Sequence, residues 1–388
     1  MLQADVAIVG AGPAGLALAV ALARRDCRVV LLERQSEQHV LSPDDDGREI
    51  ALTHKSVRIL ENLGAWQRLR DDEIGTLRSA QVVDGYAPAS LNFGTRGGGP
   101  LGFIVSNATL RRVLYEVARE DRKIQFYSGC TVTGIRAEAG RRVLGYGEDG
   151  SIAAALVVAA DSRFSEVRRM VGIGADMRDF GRVAIVGQVR TERAHGGVAR
   201  ECFRYGSTLA LLPLAECHAS SAVVTVPASC TEAVMQLSDA AFAAWVQAES
   251  ASQLGAVETC GQRYSYPLVA MYAHGFYAER FALVGDAAVG MHPVTAHGFN
   301  LGLAGADTLA RQLQGVVRLY QPARLGRALS RYQFQHRLES RLIYSGTNRV
   351  VGLFTNDRLP AKLLRKAVLR VSDHFAPIRR AIVHQLTR

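Results

Sequence analysis

The 388-residue sequence predicts an α/β protein with one lobe built on a parallel sheet, a second lobe built on a mixed sheet, and C-terminal helices. Two observations lead to this prediction. Short apolar runs are followed by helical periodicity in residues 1–34, 155–170 and 281–313, a pattern typical of parallel strands covered by helices. Residues 75–102 and 180–266 instead alternate apolar residues with turn residues, which indicates strands of a second sheet.

The first lobe begins with a nucleotide-binding pattern. A buried strand over 5–9 leads into Gly10-Ala11-Gly12-Pro13-Ala14-Gly15, a helix over 16–25 and a second strand over 27–32 that ends at Glu33. Gly10 permits a tight turn, Gly12 lets the backbone approach a pyrophosphate, and Gly15 lets helix and strand pack closely. The helix N-terminus offers unpaired N–H groups, and an acid at the position of Glu33 accepts hydrogen bonds from a ribose. These features predict a Rossmann-like dinucleotide site.

A second match to the same glycine spacing, at residues 145–150, serves as a control. It is followed by an apolar stretch over 151–160 that is typical of a strand, and Asp149-Gly150 supplies a turn. We therefore interpret residues 145–160 as a β-hairpin and not as a second nucleotide site.

Composition narrows the class of protein. No apolar run reaches the length of a membrane-spanning helix and no signal peptide is visible, so we expect a cytoplasmic protein. Six scattered cysteines predict reduced thiols and no metal site. The net charge of +10 favours an anionic partner, and without a nucleic-acid motif a membrane surface ranks above nucleic acid. Basic, apolar-patterned C-terminal helices fit that surface, or a helix packed on the protein with a solvated basic face.

Further polar residues follow the predicted strands. Arg48 comes after an acidic cluster and is either a surface arginine or a fork for phosphate or substrate. Asp161 ends a buried strand, where it binds a ligand or caps the next helix. Gly285-Asp286 ends another strand and precedes a turn into a helix, so a second helix N-terminus faces the same edge. Because ligands of open α/β sheets bind at the carboxyl ends of strands, we expect Gly10, Glu33, Asp161 and Asp286 to lie together.

These separated motifs, Gly10-x-Gly12-x-x-Gly15 with Glu33, Asp161, and Gly285-Asp286 with His292-Pro293, resemble those of the FAD-dependent aromatic hydroxylases, the single-component flavoprotein monooxygenases. Within that group the chain looks most like the ubiquinone-biosynthesis hydroxylases, through segments 46–52, 104–107, 298–302 and 353–357. The resemblance implies a p-hydroxybenzoate-hydroxylase-like fold. Its FAD-binding domain would comprise 1–74, 102–178 and 267–324, its substrate domain 75–101 and 179–266, and its C-terminal helical region 325–388.

The chain departs from the family pattern in three places. The family commonly has Asp-Gly where this chain has Asp161-Ser162, Gly-Gln where it has Ala296-His297, and an aspartate near Gly305. The first departure predicts that Ser162 takes a backbone conformation that glycine adopts more easily. The second alters the predicted flavin pocket.

The resemblance also implies roles for individual residues. Gly12, Glu33, Arg34 and Arg48 would hold the adenosine and pyrophosphate, Asn107 and Arg111 the middle of FAD, Asp161 would lie near the nucleotide, and Asp286 would bind ribose or ribityl hydroxyls. Residues 293–300 would line the isoalloxazine ring, whose reduced form their N–H groups can stabilise. The full predicted cofactor site is Gly10, Gly12, Pro13, Ala14, Gly15, Glu33, Arg34, Arg48, Asn107, Arg111, Asp161, Gly285, Asp286, Pro293, Gly298, Phe299 and Asn300.

In the family mechanism, transiently bound NAD(P)H reduces a tightly bound FAD, O₂ adds at flavin C4a, and the distal oxygen of the hydroperoxide passes to an electron-rich ring. The implied substrate is a hydrophobic polyprenyl phenol or quinol of ubiquinone biosynthesis. His297 and Tyr264 are the catalytic candidates, with Tyr205 and Tyr266 as further residues for touching the substrate phenol.

The resemblance extends to partners and leaves alternatives open. The implied location is cytoplasmic and peripheral on the inner face of the membrane, with contact through the basic C-terminal helices and with partner proteins of a quinone-biosynthesis complex. The alternatives are a hydroxylase of a soluble phenol or polyketide, a flavin reductase of isoprenoid double bonds, and a non-catalytic flavin-bearing assembly protein.

Overall fold

The computed structural model describes residues 2–85, 90–95, 99–204, 206–292, 297–314 and 319–354. Its strands are β1 Leu2–Val9, β2 Val29–Leu32, β3 Glu49–Leu52, β4 Gly75–Leu77, β5 Ser79–Asp84, β6 Ser90–Gly94, β7 Gly102–Ser106, β8 Ile124–Tyr127, β9 Val132–Glu138, β10 Arg141–Tyr146, β11 Gly150–Ala159, β12 Ala175–Thr191, β13 Val198–Phe203, β14 Thr208–Pro213, β15 Ala219–Pro227, β16 Val257–Ala273, β17 Tyr277–Ala278, β18 Phe281–Leu283 and β19 Val289–Gly290.

Helices cover the sheets on several sides. They are α1 Pro13–Ala23, α2 Glu37–Leu41, α3 His54–Asn62, α4 Asn107–Glu120, α5 Glu166–Met170, α6 Thr231–Met235, α7 Asp239–Glu249, α8 Gly298–Leu313 and α9 Pro322–Phe354. Short 3₁₀ helices lie at Trp66–Arg68, Asp71–Glu73, Ala228–Cys230 and Gly285–Ala287. Among these described helices, none combines the length and the apolar content needed to cross a bilayer.

The first sheet has the order β17-β18-β11-β1-β2-β8, with β9 and β10 added through β11. Strands β18, β11, β1, β2 and β8 run parallel, and their apolar residues are buried because helices cover both faces. Helix α1 is apolar all round and packs between α4 and α8. The predicted hairpin is confirmed, since β10 pairs antiparallel with β11.

The second sheet has the order β19-β16-β12-β15-β14-β13-β5-β6 and is antiparallel except where β13 pairs with β5. One face packs against α7 through Phe242 and Val246, with Ile185, Leu209 and Val224 beneath them. We call the opposite side the inner face. The residues that alternate with this core point to the inner face, because successive side chains of a strand lie on opposite sides.

A small sheet of order β3-β7-β4 joins the two larger ones. A Cβ atom on Gly75 in β4 would lie 2.5 Å from the carbonyl oxygen of Pro213 in β14. Only glycine therefore lets this small sheet lie so close to the second sheet.

The last described helix, α9, packs on α8 through a buried stripe that includes Leu325, Leu329 and Tyr332. The Tyr332 hydroxyl donates a hydrogen bond of 2.6 Å to the carbonyl oxygen of Leu283. A Cβ on Gly305 of α8 would lie 2.8 Å from the ring of His336. His336 therefore fills the space beside Gly305.

Candidate functional site

The glycine motif forms a tight turn against the end of β11. Gly10 has φ +107°, and a Cβ there would lie 2.6 Å from the carbonyl oxygen of Ala160 and 2.8 Å from the Cα of Asp161. A Cβ on Gly15 would lie 2.0 Å from the carbonyl oxygen of Gly10. Both positions exclude larger residues, and together they place Asp161 beside the turn.

Gly12 differs from its two neighbours, because a Cβ there would meet no atom within 4 Å. It has extended backbone and precedes α1, whose N-terminus has no side-chain cap and has Pro13 in its first turn. The unpaired N–H groups and positive dipole end of α1 thus adjoin open space, as an anionic group requires. Crowding inside the protein does not explain a glycine at this position.

Glu33 is tied to the same turn. Its Oε2 accepts a 2.7 Å hydrogen bond from the N–H of Ala11, and its Oε1 accepts one of 2.9 Å from the N–H of Gln35. A carboxylate has about four lone-pair positions, so it keeps the capacity to accept hydroxyl groups. The adjacent Arg34 is exposed.

Arg111 reaches this corner from α4. Its Nη2 donates a 2.9 Å hydrogen bond to the Gln35 side chain, while its buried Nε has no hydrogen-bond partner in the described part of the chain. Burial lowers the pKa of the Arg111 guanidinium, and the charge of Glu33 acts in the opposite direction. The unmatched Nε identifies this side as one prepared for a polar ligand.

A second corner comes from the 3₁₀ turn at Gly285–Ala287. Gly285 has φ +61°, and a Cβ there would lie 2.9 Å from the Cβ of Ala14. A Cβ on Gly302 of α8 would lie 3.2 Å from the Cα of Gly285. The start of α1, the Gly285 turn and the first turns of α8 therefore converge, as the sequence motifs predict.

Asp286 is held by an arginine that the sequence reasoning did not single out. Arg163 donates to Asp286 Oδ2 from Nε at 3.1 Å and from Nη2 at 2.7 Å, and its Nη1 donates at 2.6 Å to the carbonyl oxygen of Val269. The only signal was a basic residue directly after Asp161-Ser162. The fork orients Asp286 while leaving its Oδ1 without a bond to this arginine.

Asp161 follows β11, beside Gly10. Its Oδ1 is buried without a hydrogen-bond partner in the described part of the chain, and burial raises the pKa of its carboxyl. Ser165 provides the side-chain cap of α5 by accepting a 3.0 Å hydrogen bond from the N–H of Arg168. Against the effect of burial, the Ser165 side chain and the backbone of Ser162 and Glu166 act to lower the pKa of Asp161. The expectation for Ser162 is wrong: it is not among the described non-glycine residues with positive φ.

Arg48, Asn107 and Asp46 form one cluster. Asp46 Oδ2 accepts from Arg48 Nε at 3.0 Å, from Arg48 Nη2 at 2.5 Å and from Asn107 Nδ2 at 2.8 Å. Burial by itself would raise the pKa of Asp46, but the bonds and charge of Arg48 hold it below its usual value. About half of the Arg48 side chain stays exposed, so its remaining donors can reach a ligand.

The same loop contacts the second sheet through two tyrosines of β16. The Tyr266 hydroxyl donates a 2.5 Å hydrogen bond to the carbonyl oxygen of Asp46, and the Arg48 guanidinium lies 5.4 Å from the centre of its ring. Tyr264 packs on Gly47, where a Cβ would lie 2.6 Å from its ring. Partial burial and the charges of Asp45 and Asp46 raise the pKa of Tyr264, which therefore stays protonated at neutral pH.

The start of α8 is fixed by Asn300. Its Oδ1 accepts from the Thr53 N–H at 3.1 Å and from the Ser56 hydroxyl at 2.6 Å, and its Nδ2 donates at 2.8 Å to the Ala51 carbonyl. These contacts of the Asn300 side chain hold the β3–α3 junction. The backbone of Gly298 and Phe299, in the first turn of α8, has no side-chain cap.

Two further histidines lie near the start of α8, and the other predicted residues lie outside the described part of the chain. His297 is buried and immediately precedes α8. Burial and the charges of Arg163, Arg182 and Arg178 lower the pKa of His292 to about 4, so it is neutral at physiological pH. Pro293, Tyr205 and the C-terminal segment 355–388 lie outside the described residues.

An apolar row crosses the inner face of the second sheet. The register places six side chains in line across six strands: Val82, Glu201, Ala210, Val223, Val186 and Tyr264. At the Tyr264 end the row meets the loop at Gly47, since a Cβ there would also lie 3.5 Å from Val186. The inner face is therefore turned towards the first lobe.

Two acids, one in this row and one beside Asp45 and Asp46, were not identified from the sequence. Burial raises the pKa of Glu201 to about 8, and burial with the charges of Asp45 and Asp46 raises the pKa of Glu49 to about 7. In the described part of the chain, neither carboxyl has a hydrogen bond. The sequence signal for Glu201 is weak, because a second charged residue, Arg200, precedes it in β13.

The comparisons with known proteins agree with this geometry. Residues 3–330 match the family described as FAD binding domain, and the chain belongs to this family. It is 41% identical over 392 residues to the ubiquinone hydroxylase UbiM of Neisseria meningitidis, covering 100% of this chain and 85% of that protein. It is 32% identical over 378 residues to the ubiquinone hydroxylase UbiL of Rhodospirillum rubrum, covering 97% and 88%.

The fold is shared with solved structures. Pseudomonas aeruginosa PqsL in complex with 2-aminobenzoylacetate superimposes with a TM-score of 0.78 at 21% identity, covering 91% of this chain and 97% of that one. The predicted p-hydroxybenzoate-hydroxylase-like fold is confirmed, and so are the predicted family and its FAD cofactor.

The residues around the glycine turn have the open space and the unused hydrogen-bonding groups that FAD binding requires. Gly12 leaves open space at the N-terminus of α1, and the buried Arg111 Nε and Asp161 Oδ1 lack partners in the described part of the chain. The carboxylates of Glu33 and Asp286 can each accept further hydrogen bonds. A dinucleotide offers the hydroxyl and phosphate groups that these positions require.

Proposed function

We propose that the protein is an FAD-dependent monooxygenase that uses NAD(P)H and O₂ to hydroxylate the aromatic ring of a polyprenyl phenol or quinol in ubiquinone biosynthesis. The observation that carries this proposal is the 41% identity to a ubiquinone hydroxylase over the whole chain. The intact glycine turn and the convergence of residues 10–15, 285–286 and 298–302 support it.

In this proposal the chain binds and orients the cofactor. The N-terminus of α1 receives the pyrophosphate, and Glu33 accepts hydroxyl groups of the adenosine ribose. Asp286, oriented by Arg163, accepts hydroxyl groups further along the cofactor. Once bound, FAD supplies the reduction by NAD(P)H and the oxygen transfer that no amino-acid side chain supplies. The uncapped first turn of α8 directs N–H groups at the negative charge of the reduced ring.

The inner face of the second sheet suits a hydrophobic substrate. Val82, Ala210, Val223 and Val186 cross it in line, so an isoprenoid chain would remove aliphatic surface from water on both sides. Glu201 lies in the same row, and its raised pKa keeps it largely uncharged at neutral pH. A protonated carboxyl can also donate a hydrogen bond to a ring oxygen. Tyr264 and His297 stay candidates for contact with the ring.

The proposal includes work at a membrane surface, where polyprenyl compounds reside, and contact with other proteins of the quinone pathway. The charge of +10 supports attraction to anionic lipid. The predicted contact through Leu359 to Arg388 lies outside the described residues. Removing that segment tests it directly, because the prediction requires weaker association with anionic vesicles.

One experiment separates the proposal from its alternatives. The purified protein is reconstituted with FAD, and NAD(P)H oxidation and ring hydroxylation are measured with a short-chain prenyl quinol and with soluble phenols. The proposal expects hydroxylated product and coupled NAD(P)H oxidation with the prenyl quinol. Product formed only from soluble phenols would favour a hydroxylase of soluble phenols or polyketides. NAD(P)H oxidation that does not increase with any ring compound would favour a non-catalytic flavin-bearing assembly protein. In parallel, a deletion strain should accumulate an under-hydroxylated quinone intermediate.

A further inference from the structure

The outward side of α9 carries a surface that has no role in the proposed hydroxylation. Three large apolar side chains, Phe334, Leu338 and Leu342, are 71%, 71% and 76% exposed. They recur every four residues and so form one stripe along the helix. The opposite side of α9 is already packed on the protein through Leu329 and Tyr332. The stripe is therefore not part of the side of α9 that packs against the core, and it forms an exposed apolar patch.

Arginines surround this stripe. Arg324, Arg327, Arg331, Arg341 and Arg349 are all exposed, and each lies three or seven residues from a stripe residue or from another of these arginines, which places them on the same side of α9 as the stripe. The one acid of α9, Glu339, is only partly exposed and is paired with Lys55 at 2.6 Å. Three of the arginines, Arg324, Arg327 and Arg331, line a surface depression of about 170 Å³. We call the three apolar residues and five arginines the α9 face.

We propose that the α9 face docks the protein on an anionic lipid surface, with the arginines binding lipid phosphates and the apolar stripe entering the headgroup boundary. A helix with exposed aromatic and aliphatic residues beside arginines is suited to lie in the plane of a membrane interface. The stretch from Arg324 to Arg349 spans 26 residues of helix, or about 38 Å, which is long enough to contact several headgroups at once. The inference deepens the membrane contact of the proposed function and rests on it for the kind of partner, whereas its evidence is the α9 face and not the hydroxylation.

Charge argues against the other occupants. The segment 355–388 carries eight lysines and arginines against two aspartates, so it would repel five arginines if it folded back over them. A second copy of the chain would bring the same arginines to the interface. An acidic protein meets the charge requirement, and the experiment separates it from lipid.

The test is vesicle flotation of the full-length FAD-loaded protein. Vesicles contain either phosphatidylcholine alone or phosphatidylcholine with about one third phosphatidylglycerol. One variant combines Arg324→Gln, Arg327→Gln and Arg331→Gln, and a second combines Phe334→Ser, Leu338→Ser and Leu342→Ser. The matched charge control combines Arg119→Gln, Arg122→Gln and Arg193→Gln, which are exposed arginines on other elements. Bound-flavin absorbance and NAD(P)H oxidation with a soluble short-chain quinol verify that each variant is folded.

The inference expects wild-type protein to float with anionic vesicles and not with neutral ones, and raised salt to weaken the binding. In each α9 variant the fraction of protein bound to anionic vesicles should fall at least fivefold while its flavin content stays unchanged. The control variant should bind as wild type does. Equal flotation of wild type and both α9 variants would overturn it, as would equal binding to neutral vesicles. Absence of vesicle binding together with crosslinking from position 338 to an acidic protein would also overturn it, in favour of a protein partner. A protein that floats as expected but hydroxylates no quinol would contradict only the proposed function.

Discussion

Arg163 and Asp286 lie 123 residues apart in sequence and meet through two hydrogen bonds, from Nε at 3.1 Å and Nη2 at 2.7 Å, to a single carboxylate oxygen. The arginine is anchored in turn to the carbonyl oxygen of Val269 in β16, a strand of the second sheet. Arg163 thus couples the position of Asp286, a predicted FAD-binding residue, to the second sheet.

Replacing this arginine should weaken cofactor binding. Arg163→Met keeps the aliphatic stem but removes both donors to Asp286, so the carboxylate loses its orientation. We expect FAD to bind about tenfold more weakly, equivalent to about 1.4 kcal/mol. Isothermal titration of the flavin-free protein measures this. Arg136→Met removes an exposed ion pair to Glu138 and is the control, for which we expect unchanged affinity. Equal affinities in both variants would remove the positioning role of Arg163.

The two glycines of the first turn should respond differently to alanine. Gly10→Ala places a methyl group 2.6 Å from a backbone oxygen at φ +107°, so we expect a loss of about 2 kcal/mol or more in unfolding free energy. Gly12→Ala meets no protein atom within 4 Å and should leave the flavin-free protein as stable as wild type. It should nevertheless weaken FAD binding, because the methyl group enters the space of the pyrophosphate. Thermal unfolding and bound-flavin absorbance together measure both effects, and full flavin content in Gly12→Ala would contradict the assignment.

Glu201 should make stability depend on pH. Burial raises its pKa from an ordinary 4.5 to about 8, so the folded protein keeps a proton that the unfolded chain releases. The unfolding free energy therefore falls as pH rises from about 4.5 to about 8, and the penalty is complete above the folded pKa. Glu201→Gln removes this penalty. Its melting temperature relative to wild type should rise between pH 5 and pH 8 and level off above, whereas a constant difference would place Glu201 in contact with water.

Asn300 should matter more for structure than its place in the predicted flavin site implies. Asn300→Ala leaves the Thr53 N–H, the Ser56 hydroxyl and the Ala51 carbonyl without this partner. We expect the variant to lose about 2–3 kcal/mol of unfolding free energy in the flavin-free protein. Ser56→Ala removes one of the three bonds and should cost about 1 kcal/mol. Chemical denaturation tests the ratio, and a loss in Asn300→Ala seen only with FAD bound would favour direct flavin contact.

The sequence predicted those parts of the site that depend on local backbone geometry. Gly10, Gly12 and Gly15 are required by a tight turn, a close approach to a phosphate and a helix–strand contact. All three requirements lie within six residues, so the motif can be recognised without knowing the fold. The same local argument failed for Ser162, because the chain after Asp161 turns without positive φ. The family motif indicated a conformation that this sequence does not use.

The parts that the sequence did not predict depend on distant partners. Asn300 was assigned to the flavin because nothing in its own segment indicates the junction at residues 51–56. Arg163 has no recognisable motif and acquires its role from Asp286. Glu201 gains its raised pKa from the strands on either side of β13, and the register that buries it is set by tertiary pairing.

Isotope transfer tests the central claim most directly. The purified protein, loaded with FAD and supplied with NAD(P)H and a short-chain prenyl quinol, is incubated under isotopically labelled O₂, and the product is analysed by mass spectrometry. The account predicts one labelled oxygen atom per hydroxylated ring, with no product when FAD is removed. A ring oxygen derived from water, or hydroxylation that persists without the flavin, would contradict it.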